Sequence, residues 1–274
     1  MTYCVGFLLE SGLVFASDSR TNAGVDYISS YSKLHVFQPS PDRLFVLMAA
    51  GNLGTTQAVL NRIRRDLALD EAAADAAMLS AFHEGRATAL NQPGRAKGES
   101  HDLLTARYLF EAADYVGRLS VSVQQAFSAP LQQAGASGEA SFILGGQIAG
   151  QPHGLYLIYP QGNAIMATPE TPFLQIGESK YGKPPLDYVG HHKLSLEDAA
   201  RLCLVSQIVT RRSNLTVGPP FEIALVPADE LRISHRLKLE KDNRQVTSTM
   251  EIWARGLKEA LAKLPRFQWE EDPL

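Results

Sequence analysis

Over the first fifty positions the apolar residues alternate with polar ones or run together in short stretches bounded by turn residues, which predicts strands. Thr2 to Leu9 (TYCVGFLL) and Leu13 to Ser17 (LVFAS) flank Glu10-Ser11-Gly12, a short turn with glycine where positive φ is needed. Lys33 to Phe37 (KLHVF) alternates, and Arg43 to Ala50 (RLFVLMAA) is almost wholly apolar, as suits a strand covered on both faces. At Gly51 the period becomes helical. Thr55 or Thr56 is the candidate cap of a helix with Ala58, Ile63 and Leu67 on one face and Arg62, Arg64 and Arg65 largely elsewhere. An alanine-rich region from about Asp70 to Leu90 predicts a second helix, and Asn91 to Ser100 (NQPGRAKGES) a polar loop.

Leu103 to Leu131 again has helical spacing, ending near Pro130, and Ala140 to Ile148, Gly154 to Tyr159 and Ala164 to Ala167 return to strands. Ser195 to Arg211 opens on a capping serine with Glu197 and Asp198 in the first turn and closes on Arg211 and Arg212, an order that suits the helix dipole. Glu222 to Val226 and Leu231 to Leu239 are late strands, Ser248 to Leu264 is a last helix, and the tail from about Arg266 is polar, acidic and expected to be exposed. Strands and helices come in blocks, so the pattern predicts packed sheets covered by helical layers rather than alternating βαβ units. No Gly-, Ser- or Pro-rich linker divides residues 1–274, which read as one domain.

Composition narrows the function. With 45% apolar and 20% charged residues the chain can bury a large core. A balance of 26 basic against 29 acidic residues lacks the basic field of nucleic-acid binders. Two cysteines, Cys4 and Cys203, supply neither a disulfide framework nor a thiolate zinc site. No apolar run approaches the ~20 residues of a membrane span. With no secretory signal pattern at the start, the expected location is cytoplasmic.

The usual chemical signals are missing. The seven histidines show no metal-site spacing and read as surface or ordinary polar groups, no G-x-S-x-G elbow occurs, and Gly51 to Thr56 lacks the lysine of a phosphate loop. Cys4, inside an apolar strand, reads as a core residue. The start of the chain offers more. Removal of Met1 would expose Thr2, whose hydroxyl is a nucleophile and whose α-amine, with a reference pKa of about 7.7–8.0, is a base suited to neutral pH. The hairpin register sets Thr2 opposite Ser19 to Thr21, so Asp18 falls beside it. A carboxylate after the run Leu13 to Ala16 needs a partner or water, and Lys33, opening a strand of the same sheet, is the candidate partner. Ala49-Ala50-Gly51 ends a buried strand where backbone N–H groups can face an oxyanion. Each residue alone also fits a solvated strand end or a plain turn.

Together, Thr2, SDSRT (Ser17 to Thr21), SKLHVF (Ser32 to Phe37) and MAAG (Met48 to Gly51) resemble the proteasome-type N-terminal nucleophile hydrolases. TYCVGFLLESGLVFASDSRTNAGVDYIS, IGESKYGKP (Ile176 to Pro184) and SNLTVGPP (Ser213 to Pro220) are similar to the bacterial ancestral β-subunit group, Anbu, and the resemblance covers residues 2 to about 240. It implies an α+β fold, a four-layer αββα sandwich, and a threonine-type peptidase without metal or organic cofactor. Thr2 would be the nucleophile, Lys33 would tune its hydroxyl, Asp18 would hold Lys33, and Gly51 N–H would serve the oxyanion. The backbone around Arg20, Thr21 and Asn22 would bind an extended peptide by strand addition. Homo-oligomeric rings or open rings and a peptide or unfolded-protein substrate are the implied partners. The chain departs from true β-subunits at Gly177-Glu178-Ser179 and Ser213-Asn214-Leu215-Thr216, which leaves Ser179 and Ser213 as candidate supporting residues. Two other readings remain open: an amidase of the same fold acting on a small amide or short peptide, and a non-catalytic ring-forming scaffold.

Overall fold

The first two strand signals form a hairpin in the computed structural model, which describes residues 2–22, 28–83 and 101–271. Strands β1 (Tyr3–Leu9) and β2 (Gly12–Asp18) pair with Leu9 opposite Gly12 and Cys4 opposite Ser17. Two steps further, that register brings Thr2 level with Ser19. Gly12 sits at φ +135°, where an added Cβ would lie 2.1 Å from the Val226 carbonyl, so no other residue fits. There follow β3 (Arg20–Asn22), β4 (Ile28–Ser30), β5 (Leu34–Ser40), β6 (Arg43–Gly51), α1 (Leu53–His83) and α2 (Leu109–Gln133). The second half runs β7 (Ala140–Ile148), β8 (Gly154–Ile158), β9 (Ala164–Met166), β10 (Phe173–Gly177), α3 (Ser179–Val189), α4 (Leu196–Ser213), β11 (Phe221–Pro227), β12 (His235–Leu239), α5 (Arg244–Ala262) and α6 (Gln268–Glu271).

Two five-stranded sheets, ordered β10-β1-β2-β11-β12 and β5-β6-β7-β8-β9, carry antiparallel pairs throughout, and β3 and β4 form a separate ribbon. Their period-2 patterns fill three cores. Tyr3, Val5, Phe7 and Leu9 pack with Leu186 of α3 and Leu202 and Cys203 of α4. The alternate residues Cys4, Leu13 and Phe15 meet Leu34, Val46 and Met48 between the sheets. On the far side, Phe45, Leu47 and Ala49 pack with Val59 and Ile63 of α1 and Ala112 and Val116 of α2. Helices, sheet, sheet, helices: the chain is a four-layer αββα sandwich, and the apolar run of β6 is apolar because both its faces are covered.

Several boundaries differ from the sequence expectation. The two helices predicted after Gly51 are one, α1, through His83; the remainder of the second and the predicted loop 91–100 lie outside the described residues. Its cap is Asn52, whose side-chain oxygen accepts from Thr55 N–H at 3.1 Å, not Thr55 or Thr56. Helix α2 begins at Leu109 rather than near Leu103, because Asp102 captures Thr105 N–H at 2.8 Å in a local turn and Glu111 accepts the N–H groups of Arg107 and Tyr108. Helix α3 was not anticipated, since Pro184 and Pro185 lie within it. The ribbon β3–β4, strand β10 and the short α6 also went unread; three-residue strands carry almost no periodicity.

Phe15 is fully buried between the sheets, where a Cβ on Gly145 of β7 would meet its ring at 2.6 Å. Replacing Phe15 with alanine empties that space and should destabilise the fold by about 3–5 kcal/mol, read as a lower urea midpoint at unchanged slope.

Candidate active site at the first strand

Both faces of the peptide group between Thr2 and Tyr3 are held. The Thr2 carbonyl accepts from Glu178 N–H at 2.8 Å, and Tyr3 N–H donates to Asp18 Oδ1 at 3.0 Å. Gly177 makes room for this: at φ +84°, an added Cβ would lie 1.9 Å from the Thr2 carbonyl oxygen. Beneath, Tyr3 is fixed to the helical layer. Its hydroxyl lies 2.6 Å from Ser206 Oγ and 2.5 Å from Gln175 Nε2, and its carbonyl accepts from Gln207 Nε2 at 3.1 Å.

Asp18, at the end of β2, is fully buried. Besides Tyr3 N–H it accepts Lys33 Nζ on Oδ1 at 2.6 Å and Gly218 N–H on Oδ2 at 3.1 Å. Lys33, 7% exposed, also donates to the Arg20 carbonyl at 2.6 Å. Burial pushes the Asp18 carboxyl above its ordinary range, while the ammonium and the two backbone donors pull it back. The candidate pair therefore meets, but across the sandwich: Lys33 precedes β5 of the second sheet rather than opening a strand of Asp18's own sheet.

Thr2, Thr21, Lys33 and Gly51 all line one open cleft of about 960 Å³. Gly51 ends β6 at φ +116°, where a Cβ would lie 2.3 Å from the Glu139 carbonyl. Successive N–H groups of a strand alternate sides. Ala49 N–H goes to Lys33 O, just before β5, at 3.2 Å, so Gly51, two residues on, aims its N–H the same way. There the facing chain has left the sheet, with Tyr31 N–H donating to Ser19 O instead. That N–H faces the cleft at the mouth of α1, a geometry suited to an oxyanion.

The other candidates stand as follows. Arg20 begins β3, but its guanidinium turns away to the Leu215 carbonyl at 2.6 Å, so only its backbone is near the cleft. Thr21 lines the cleft; Asn22 ends β3, and its side chain is outside the described residues. Ser179 opens α3 next to Glu178 without lining the cleft, and Ser213 is exposed at the end of α4. Cys4 is fully buried and burial raises its thiol pKa, as a core residue requires.

The chain matches no protein-family model and no curated protein. Solved structures do match over nearly its whole length. The Anbu (Gly-1) mutant from Hyphomicrobium sp. strain MC1 is 36% identical, covers 98% of this chain and 100% of its own, and has a TM-score of 0.81. Anbu (ancestral beta-subunit) from Yersinia bercovieri is 36% identical over 97% and 100% of the two chains, with a TM-score of 0.79. The chain described as the helical assembly of the Anbu complex from Pseudomonas aeruginosa is 37% identical over 99% and 100%, with a TM-score of 0.79. The chain belongs to the Anbu family. This family is the bacterial ancestral β-subunit of the proteasome-type fold.

In this Anbu-family chain, three features of the site were not read from sequence. The Tyr3–Ser206–Gln207 network joins positions about two hundred residues apart, and no local pattern signals it. Glu178, in the altered Gly-Glu-Ser segment, lines the cleft on the Thr2 side. His35, read as a surface or ordinary polar group, also lines the cleft; alternation with Lys33 in KLHVF was the available signal.

Two outcomes follow. Asp18→Ala strands the Lys33 ammonium and two buried N–H donors and should cost about 3–5 kcal/mol in urea unfolding, whereas Asp18→Asn combined with Lys33→Met should recover much of that loss. Burial and the Arg64 charge lower the His35 pKa to about 4, below its unfolded value near 6.5. Between those values the unfolded chain binds the extra proton, so stability falls as pH drops from 6.5 to 4, by up to about 3 kcal/mol. His35→Gln should flatten that part of a urea-midpoint profile.

Proposed function

We propose that the chain is a threonine-type peptidase acting through Thr2 once Met1 has been removed. The reading rests on one observation: the Lys33 of the buried Asp18–Lys33 pair lines the same cleft as Thr2 and Gly51. The freed Thr2 amine takes the hydroxyl proton, directly or through a water, and Oγ attacks the amide carbonyl. Lys33 stabilises the developing alkoxide electrostatically, and Asp18 keeps the ammonium in place. The tetrahedral oxyanion is met by Gly51 N–H. Collapse passes the proton to the leaving amine and leaves an ester on Thr2, which a water activated by the same amine hydrolyses. An extended peptide would pair its backbone along Thr21 on one wall and Gly51 on the other. None of these steps calls for a metal or organic cofactor.

Family membership supports a proteasome-like protein with possible hydrolase chemistry. Homo-oligomeric assembly is supported by the helical assembly described for the Pseudomonas aeruginosa relative. In this chain Met250, Leu257 and Leu261 of α5 and Leu264, Phe267 and Trp269 beyond it are exposed apolar groups that a neighbouring subunit could cover. A second reading, a ring-forming scaffold without turnover, is favoured by Glu178. A carboxylate on the Thr2 side of the cleft favours the protonated amine and leaves less of it free to take a proton at neutral pH.

Intact mass should show a chain lacking Met1, and a peptide epoxyketone should add covalently to it. Thr2→Ala should abolish the adduct; undiminished labelling of that variant would remove the peptidase reading, and an unreactive but correctly processed chain would favour the scaffold.

A further inference from the structure

The cleft extends well beyond Thr2, and its charges are unevenly distributed. Helix α1 lines it with Leu53, Thr56, Gln57, Leu60, Asn61 and Arg64, positions three and four apart that form one stripe. The facing wall contributes His35 of β5 and Lys33 just before it, alternate positions with Phe37, which packs with α1. Lys33 is neutralised by Asp18, and Glu178 stands at the Thr2 end. Arg64 is different. Among the described residues it has no carboxylate partner, and its guanidinium reaches only the Asn61 side-chain oxygen at 3.3 Å. Helical side chains lean toward the helix N-terminus, so α1 carries this cation back toward Gly51.

His35 fits the same picture. It is half-buried in the wall, none of the described residues hydrogen-bonds its ring, and Arg64, Arg236 and Glu222 are the charged groups that act on it. With its pKa near 4 it is neutral at neutral pH, so it offers a ring N–H rather than a second charge.

We propose that this part of the cleft is a subsite for an acidic side chain, with Arg64 as the specificity-determining cation and His35 as an additional donor. The guanidinium matches a carboxylate in shape as well as charge, and two N–H donors on it can bind both oxygens at once. The substrate class is then a peptide with aspartate or glutamate at the residue whose carbonyl Thr2 attacks. This inference rests on the peptidase reading of Thr2.

Acetyl-tripeptides ending in Glu, Leu or Arg before a fluorogenic amide, offered to the full-length protein lacking Met1, separate the two. The expected result is a kcat/KM for the Glu peptide at least about tenfold above that for Leu, a preference worth ~1.4 kcal/mol, and a Glu-to-Leu ratio near one in Arg64→Met. Arg64→Glu should shift the preference to the Arg peptide. Because guanidinium stays charged, the preference should hold from pH 6 to 8.5. A Glu-to-Leu ratio unaltered in Arg64→Met, or Leu turned over as fast as Glu by the unsubstituted protein, overturns the subsite and leaves the peptidase reading standing. No turnover of any of the three peptides, together with no epoxyketone adduct, overturns both.

Discussion

A carboxylate with no access to water organises this end of the molecule. Asp18 must satisfy two oxygens inside the fold, and the groups that do so are one residue past Thr2, the lysine just before β5 and the backbone of the segment before β11. Three separate stretches of chain are thereby tied to one point. Removing a partner from such a cluster leaves a buried charge uncompensated, which is far costlier than the loss of a surface pair. The position of Lys33 in the cleft is thus a consequence of stability as much as of chemistry.

The layers explain why the cleft lies where it does. A strand sandwiched between two apolar cores has its backbone groups paired until it leaves the sheet, and β6 leaves at Gly51 just as β5 has lost its partner. The break brings Gly51 to the cleft, and the same break starts α1, whose first three turns become the cleft wall. One irregularity in the sandwich, made possible by a positive φ, produces both the candidate oxyanion donor and the candidate specificity surface.

Much of this was legible because it is periodic. The hairpin register follows from a turn and two alternating runs, and that register alone brings Asp18 beside residue 2. Sheets packed together under helical layers follow from a strand apolar on both faces between blocks of strands and helices; the count of four layers came with the family resemblance. What escaped was either aperiodic or long-range. Prolines masked α3, three-residue strands carried no pattern, and Tyr3 finds Ser206 and Gln207 only after the sheets have closed. His35 was passed over for another reason: attention to metal spacing and paired bases ignores a lone imidazole whose role is set by the helix opposite it.

The cleft joins two charge environments that pull in opposite directions. On the proposed reading, Glu178 at one end would favour a protonated amine on a processed Thr2, and Arg64 at the other would favour an anionic ligand. A bound carboxylate near Arg64 neutralises the cleft's one unpaired cation among the described residues. Without that compensation, the Arg64 field extends toward the amine and partly offsets Glu178, lowering the cost of the neutral base. An acidic substrate would therefore gain affinity from Arg64 while leaving less of the Thr2 amine unprotonated to take the hydroxyl proton. On the proposed chemistry, kcat for such a substrate should reach its plateau at a somewhat higher pH than for an apolar one, while the kcat/KM preference, set by the free enzyme, stays flat.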